Sequence, residues 1–565
     1  MKKIGWVGAL VLLAIAGVIV FALLKGIHPG NVAEIVTAGG TKQLRDPMRP
    51  ARGGTRVLVF ALDGVGVDEM HRAIREGGAR HIAALLGSGL GEGMFASGYS
   101  VPDVLTVLPS TTLAAWASVF TGEPPARTGV PGNEFFVREE RKFYAPAPVT
   151  VPEATHVLST YSDDLIGSVL ALPTLYERAD VRSYVALSHI HRGADLLVLP
   201  DVSAMAEIAL SLVAGVTDGA DDEGDESDEV DGEEHAELDA ASVEMLIETM
   251  DEHGPADLQV VYFPGVDLYT HVANDPIEDQ REYVRTIIDP AVGAVLAAYR
   301  DAGILEETWI VFVSDHGHTP VLEDDRHALE AEGDDEPPAV LESAGFRLRP
   351  LSLDVDEDDD FQAAFAYQGA FAYIYLADRS TCTDEGMPCD WSRAPRLEED
   401  VLPVVRAFDE ANRTGAHVPA LRGTLDLILA REPRPPGTDA LPFQVWDGSA
   451  LVSVEDYLAQ NPRPELLDLA RRLRGLGAGP HGHRAGDVLL LARSGAARPI
   501  EDRFYFSGRY RSWHGSPQAQ DSRIPLIVAR PGYSGAAIRD VVRPVVGARP
   551  TQLDVVSLIE ALLAR

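Results

Sequence analysis

Cysteine is nearly absent: Cys382 and Cys389 are the only two in 565 residues. Two thiolates cannot complete a structural zinc site, which takes four ligands. Any metal chemistry must therefore rest on Asp, Glu and His. Gly386 and Pro388 lie between the two cysteines, and this short spacing suits a small disulfide-closed loop if the chain matures in an oxidising compartment. Positive charge is also scarce, with 48 Lys and Arg against 87 Asp and Glu and a net charge of −39. Such a surface repels phosphate backbones, which excludes a basic nucleic-acid groove, and it opposes docking on anionic lipid. A phosphate-handling site here must bring its own local positive charge, as metal ions do. Internal repeats are lacking.

Part of the acidity is local. Asp218 to Asp239 carry thirteen acidic side chains and no Lys or Arg. The stretch 217–240 has too few apolar side chains to offset ordering entropy and reads as a solvated insertion. The N-terminus is the opposite. Lys2 and Lys3 precede an uncharged run from Ile4 to Leu24, which as a helix spans roughly 30 Å, a bilayer core. Ala14-Ile15-Ala16 resembles a signal-peptidase site, but the apolar run continues to Leu24, which favours an uncleaved transmembrane signal anchor over residues 1–25. The leading charge places the remaining chain outside the cytoplasm, in the periplasm or at the cell exterior. Residues 26–55, rich in Gly, Pro and basic side chains, read as a tether.

At 46% apolar residues the chain is globular, and its length calls for one large or two moderate domains. Val57 to Leu62 is a continuous apolar run that ends at Asp63-Gly64-Val65-Gly66. Leu258 to Phe263 ends near Asp267, and Trp309 to Val313 ends at Ser314-Asp315-His316-Gly317. Such runs fit strands buried on both faces. Helical stretches, Leu113 to Phe120 and Tyr283 to Tyr299, lie between them. The expected fold is α/β, a central mostly parallel sheet with helices on both faces. Its core falls in two parts, 56–325 and 485–565, around an insertion or cap over 326–484. The second part opens with the apolar run Val488 to Leu491, continues with Ile524 to Val528, and closes on a helix from Gln552 to Leu563.

Three buried strands ending in aspartates put carboxylates on the edge where open parallel sheets bind ligands. Converging carboxylates repel unless cations sit among them. Histidines accompany two of them, in Asp267-Leu-Tyr-Thr-His271 and Asp315-His316; mixed Asp/His ligation suits zinc, with manganese or cobalt as alternatives. Ser110, Thr111 and Thr112 open a helix. Simple capping explains such a cluster, and so does a nucleophilic hydroxyl in the favourable field of a helix N-terminus. His318 suits a structural role or a substrate contact. His481 and His483 read as loop residues that rival His514, and His189 and His191 carry no assigned chemistry.

In this order the motifs resemble the alkaline phosphatase superfamily, and within it the nucleotide pyrophosphatase/phosphodiesterase branch. Leu62-Asp63-Gly64, Pro109-Ser110-Thr111-Thr112, Gly132-Asn133, the Asp267 to His271 segment, Ser314-Asp315-His316-Gly317 and Trp513-His514-Gly515 each match a family motif. The resemblance implies an alkaline-phosphatase-like fold and two divalent metal ions, most simply zinc. One would sit on Asp267, His271 and His514, the other on Asp63, Asp315, His316 and the oxygen of Thr112. Thr112 would be the nucleophile, and Asn133 would donate to a phosphoryl oxygen. Two segments depart from the family pattern: Ala114-Ala115-Trp116 stands where Pro-Asn-His is usual, and Pro264-Gly265-Val266-Asp267 has extra spacing. A Cys-x-Pro-x-Arg segment is absent, which disfavours a formylglycine sulfatase. The expected activity is hydrolysis of a phosphodiester or pyrophosphate bond in a small, nucleotide-like phosphate ester, through a phospho-threonine at Thr112. A phosphomonoesterase, a phosphoryl transferase and a non-catalytic tethered binding protein are the alternatives.

Overall fold

The structure is a computed structural model, and it describes residues 39–91, 93–201, 205, 233–356, 359–384, 386–435 and 437–565. The anchor expected over 1–25 and most of the acidic insertion 217–240 lie outside the described residues. Among the described residues no helix is long and apolar enough to cross a membrane.

Every residue of the strand Arg56–Leu62 is buried, because each face of it meets helices. Val57, Val59 and Ala61 pack with the helices Thr112–Thr121 and Val555–Leu563. Leu58, Phe60 and Leu62 pack with the helices Val67–Arg75, Glu233–His253 and Asp289–Asp301. This two-sided cover is why the apolar run is unbroken. Leu258–Phe263 and Thr308–Ser314 flank it in parallel, and Ser183–Ala186 and Leu196–Val198 extend the parallel order outward. The ten-stranded sheet is completed by antiparallel strands, Leu526–Ala529, Gly98–Ser100 and the hairpin Gly89–Gly91/Met94–Phe95 on one side and Lys42–Gln43 on the other. The sheet is thus parallel at its centre and antiparallel at its flanks. The run Ile524 to Val528 gave no hint of this, since a doubly covered strand reads the same in either direction.

A second, six-stranded antiparallel sheet holds its own core. Val488–Ala492 sits inside it, between Phe371–Leu376 and Leu425–Ala430. The sequence had placed that segment in the returning core from 485. An apolar run identifies a buried strand but not which sheet buries it, so the inserted unit continues past 484. Cys382 and Cys389 are joined in a buried disulfide at its margin.

Two expectations of loose chain also change. From Lys42 onward the tether is part of the fold: Arg49 is 8% exposed and bonds Asp180 and Asp195, and the Asp257 carboxylate accepts from the backbone of Arg52 and Gly53. The end of the acidic stretch enters the helix Glu233–His253. There Leu238 and Asp239 are buried, which supplies the packing that the preceding residues lack. The expected helix from Tyr283 to Tyr299 runs from Pro276 to Asp301 with a π-helical stretch at Val284–Ile288.

Candidate metal centre

The parallel strands deliver their candidate ligands to one edge. Asp63 follows Arg56–Leu62 directly, and Asp315 and His316 follow Thr308–Ser314. After Leu258–Phe263 the chain turns into the helix Gly265–Val272, whose spacing sets Asp267 and His271 on one face. His514 comes from the loop after the short strand Ser512–Trp513. All six side chains are buried.

They form two metal-competent groups, Asp63 with Asp315 and His316, and Asp267 with His271 and His514, and a third overlaps both, Asp267 with His316 and His318. His316 Nε2 is 3.4 Å from Asp63 Oδ1 and 3.3 Å from Asp315 Oδ2. His271 Nε2 is 3.5 Å from Asp267 Oδ2, and His514 Nε2 is 3.9 Å from Asp267 Oδ1. The groups are contiguous, since the His316 and His514 rings stack with centroids 3.7 Å apart. The far nitrogens are tied back, His271 Nδ1 to the Ser512 carbonyl at 2.9 Å and His514 Nδ1 to the Ser110 carbonyl at 3.1 Å. That leaves each Nε2 facing the carboxylates, as ligating histidines require.

The donor set fits divalent cations. Asp63 Oδ1 and Asp315 Oδ2 are fully buried and have no hydrogen-bond partner. A buried carboxylate oxygen without a partner is costly unless a cation satisfies it. Burial, then the neighbouring Asp315 and Asp267 carboxylates, push Asp63 well above the usual carboxylate range, and burial raises Asp315. At Asp267 burial acts upward, but His271 and His318 outweigh it and hold the carboxyl well below its ordinary value. Burial, then His316, depresses His514 well below a normal histidine, which favours the neutral form that binds metals.

Thr112 is the first residue of its helix, and its Oγ1 lies 3.4 Å from His316 Nε2. Ser110 is turned away, donating to the Ser516 carbonyl at 2.9 Å. Thr111 precedes the helix with a buried, unpartnered hydroxyl. Asn133 Oδ1 accepts from the Leu113 backbone N–H at 3.1 Å, which fixes the amide at the start of the same helix. His318 bonds Asp267 Oδ1 at 2.7 Å and Ser512 Oγ at 3.0 Å, so both its nitrogens are engaged in holding the centre together. A Cβ on Gly64, at φ +67°, would fall 2.6 Å from Asp267 Oδ1 and from His318 Nε2; only glycine permits this approach. His483 pairs with Glu139 at 2.9 Å, and neither it nor His481 belongs to a metal-competent group among the described residues.

Three contributors were not read from the sequence. Gln368 Oε1 accepts from the Asn133 backbone N–H at 2.7 Å. Tyr262 donates its hydroxyl to Asp63 Oδ2. Asp239 accepts from the Gly265 backbone N–H at 3.0 Å, at the start of the helix that carries Asp267 and His271. Tyr262, at the end of an apolar strand, was the one detectable signal, a polar tip where core side chains are otherwise hydrocarbon.

The α/β sheet thus presents paired Asp/His groups and a hydroxyl at its carboxyl edge. The family model "Type I phosphodiesterase / nucleotide pyrophosphatase" matches residues 57–374, more than half of the chain, and the protein belongs to that family. Solved structures of murine ectonucleotide pyrophosphatase/phosphodiesterase 5, free and as an inactive variant in complex with AMP, are 14% identical, with TM-scores of 0.46 and 0.45 over 90% of this chain and 95% of theirs. The human protein of the same name is 14% identical, with a TM-score of 0.43 over 85% of this chain and 89% of its own. No curated protein matches the sequence.

Proposed function

We propose that this protein hydrolyses phosphodiester or pyrophosphate bonds of small, nucleotide-like phosphate esters, with Thr112 as nucleophile. The observation that carries the reading is the convergence of the two Asp/His groups beside the Thr112 hydroxyl at a helix N-terminus. Asp63, Asp315, His316 and Thr112 would hold one divalent ion, and Asp267, His271 and His514 the other; zinc is the choice most consistent with these donors. Bound there, the pair would supply the positive charge that stabilises the entering and leaving oxygens of an in-line displacement. Thr112 Oγ1 gives up its proton and forms the new bond to phosphorus as the bond to the leaving oxygen breaks, and water then cleaves the Thr112–phosphoryl bond, releasing a phosphomonoester that keeps the substrate's other group. Asn133 and the helix N-terminus favour the charge that gathers on the non-bridging oxygens. His271 and His514 would be held in register as ligands by their backbone contacts.

The same reading places the catalytic part outside the cytoplasm, anchored through residues 1–25. The Cys382–Cys389 disulfide supports it, since such bonds persist in oxidising compartments. The deciding experiment compares kcat/KM on aryl phosphodiester and aryl phosphomonoester substrates, with Thr112→Ala alongside. The diester should be preferred, and Thr112→Ala should lose turnover while retaining both metals. A large monoester preference would overturn the diester assignment, and near-normal turnover of Thr112→Ala would overturn the nucleophile.

A further inference from the structure

Tyr262 is the penultimate residue of the central strand Leu258–Phe263, fully buried, and its hydroxyl bonds Asp63 Oδ2. That bond occupies one carboxylate oxygen. The other, Asp63 Oδ1, is the one left buried without a partner, 3.4 Å from His316 Nε2. The phenol therefore decides which oxygen of Asp63 is offered to the centre.

Its own position is fixed from two sides. Trp116 meets the Tyr262 ring edge-on at 5.5 Å and 86°. His189 meets it at 5.2 Å and 71°, and Tyr161 backs His189 at 5.7 Å. Trp116 and His189 both belong to segments at the edge of the parallel strands. His189 follows Leu187, a buried residue in the left-handed region at φ +56°. A branched apolar residue held there is strained and persists only where its surroundings dictate it. The chain thus accepts a strained turn in front of His189. Trp116 is also the last residue of the segment Ala114-Ala115-Trp116, which departs throughout from the triplet usual after the nucleophile. Its indole fills the space against the tyrosine.

We infer that Tyr262 is a positioning residue for the ion held by Asp63, Asp315 and His316, with Trp116 and His189 as its cradle. The assignment rests on the two-metal reading above. Groups that orient a metal ligand typically set affinity by about tenfold to a hundredfold when removed. Tyr262→Phe keeps the ring and removes only the hydroxyl. Asp63 is then free to rotate or to bind through both oxygens.

The test titrates metal-stripped protein with cobalt(II), following d–d absorption, and with zinc against a chromogenic chelator. The wild type should take two ions. Tyr262→Phe should weaken one of them by about tenfold or more, alter the cobalt spectrum of that ion, and leave the other within about twofold. The thermal unfolding of the metal-stripped protein should stay where it is, and excess metal should restore much of kcat. Trp116→Leu, which loosens the cradle but keeps the hydroxyl, should weaken the same ion by less. Two unchanged affinities in Tyr262→Phe, or equal losses at both, would overturn the assignment while leaving the two-metal reading intact. A wild type that binds at most one ion would overturn both.

Discussion

Asn133 Oδ1 is committed to the Leu113 backbone N–H, so the amide is oriented and its NH2 is the end left to meet a ligand. Gln368 holds the Asn133 backbone and donates to the Glu134 carbonyl at 2.5 Å. A donor fixed before substrate arrives acts on the transition state without reorganisation. Asn133→Ala should therefore lower kcat by about 10²–10³-fold, with KM changed much less and both metals retained. Steady-state kinetics with metal analysis checks this, and a loss confined to KM would refute it. The place of Asn133 beside the Thr112 helix was legible because the two stand close in sequence. Gln368 was not, for 235 residues separate it from Asn133 and it belongs to the other sheet. Nothing local in Tyr367-Gln368-Gly369 marks such a contact. The same holds for Tyr262, whose hydroxyl acquires meaning only when a neighbouring strand brings Asp63 beside it.

At the scale of elements, the parallel strands were legible and their neighbours less so. Continuous apolar runs ending in Asp63 and Asp315 predict both the strands and the edge at which they deliver their ligands. The helix Glu233–His253 is different. It begins within an acidic stretch that reads as solvated, yet Asp239 is fully buried against the Gly265 N–H and the Tyr283 hydroxyl. Gly265, part of the motif's extra spacing, makes room for it: a Cβ there would fall 2.5 Å from the Tyr283 hydroxyl and 2.7 Å from Asp239 Oδ2. Burial, against the opposing effect of those two bonds, raises Asp239 to about 7. A raised carboxyl binds its proton more tightly in the folded chain than in the unfolded one. Its contribution to stability is full below about pH 4 and is lost as pH rises through about 7. Asp239→Asn removes this titration. The stability of the variant relative to wild type should rise between pH 4 and 7 by an amount on the order of a few kcal/mol. Thermal unfolding of both proteins across that range measures it, and parallel curves would refute it.

Over the whole molecule, the six candidate ligands are far apart in sequence and close in space. Asp63 and His514 flank nearly all of the folded chain, and the second sheet, from Ala363–Gln368 to Val488–Ala492, is inserted between His316 and His514. Ions at this centre would therefore cross-link the two parts of the core on either side of the insertion. His514 reaches the centre on a loop that is itself held by Asp521, whose carboxylate accepts from the Ser516 N–H at 2.9 Å. Binding to the folded chain alone stabilises it by about 4 kcal/mol per ion when free metal is a thousandfold above Kd. Removing metal should thus lower the unfolding temperature by several degrees, and the loss should not be uniform. Hydrogen exchange should quicken at residues 512–516 and at 265–272, which meet only through the ligands and a few bonds such as His271 Nδ1 to the Ser512 carbonyl. The strand Arg56–Leu62, covered by helices on both faces, should keep its protection. Exchange that quickens evenly over both sheets would show that the ions stabilise the fold without tying these two segments together, and an unfolding temperature indifferent to chelation would contradict the cross-link altogether.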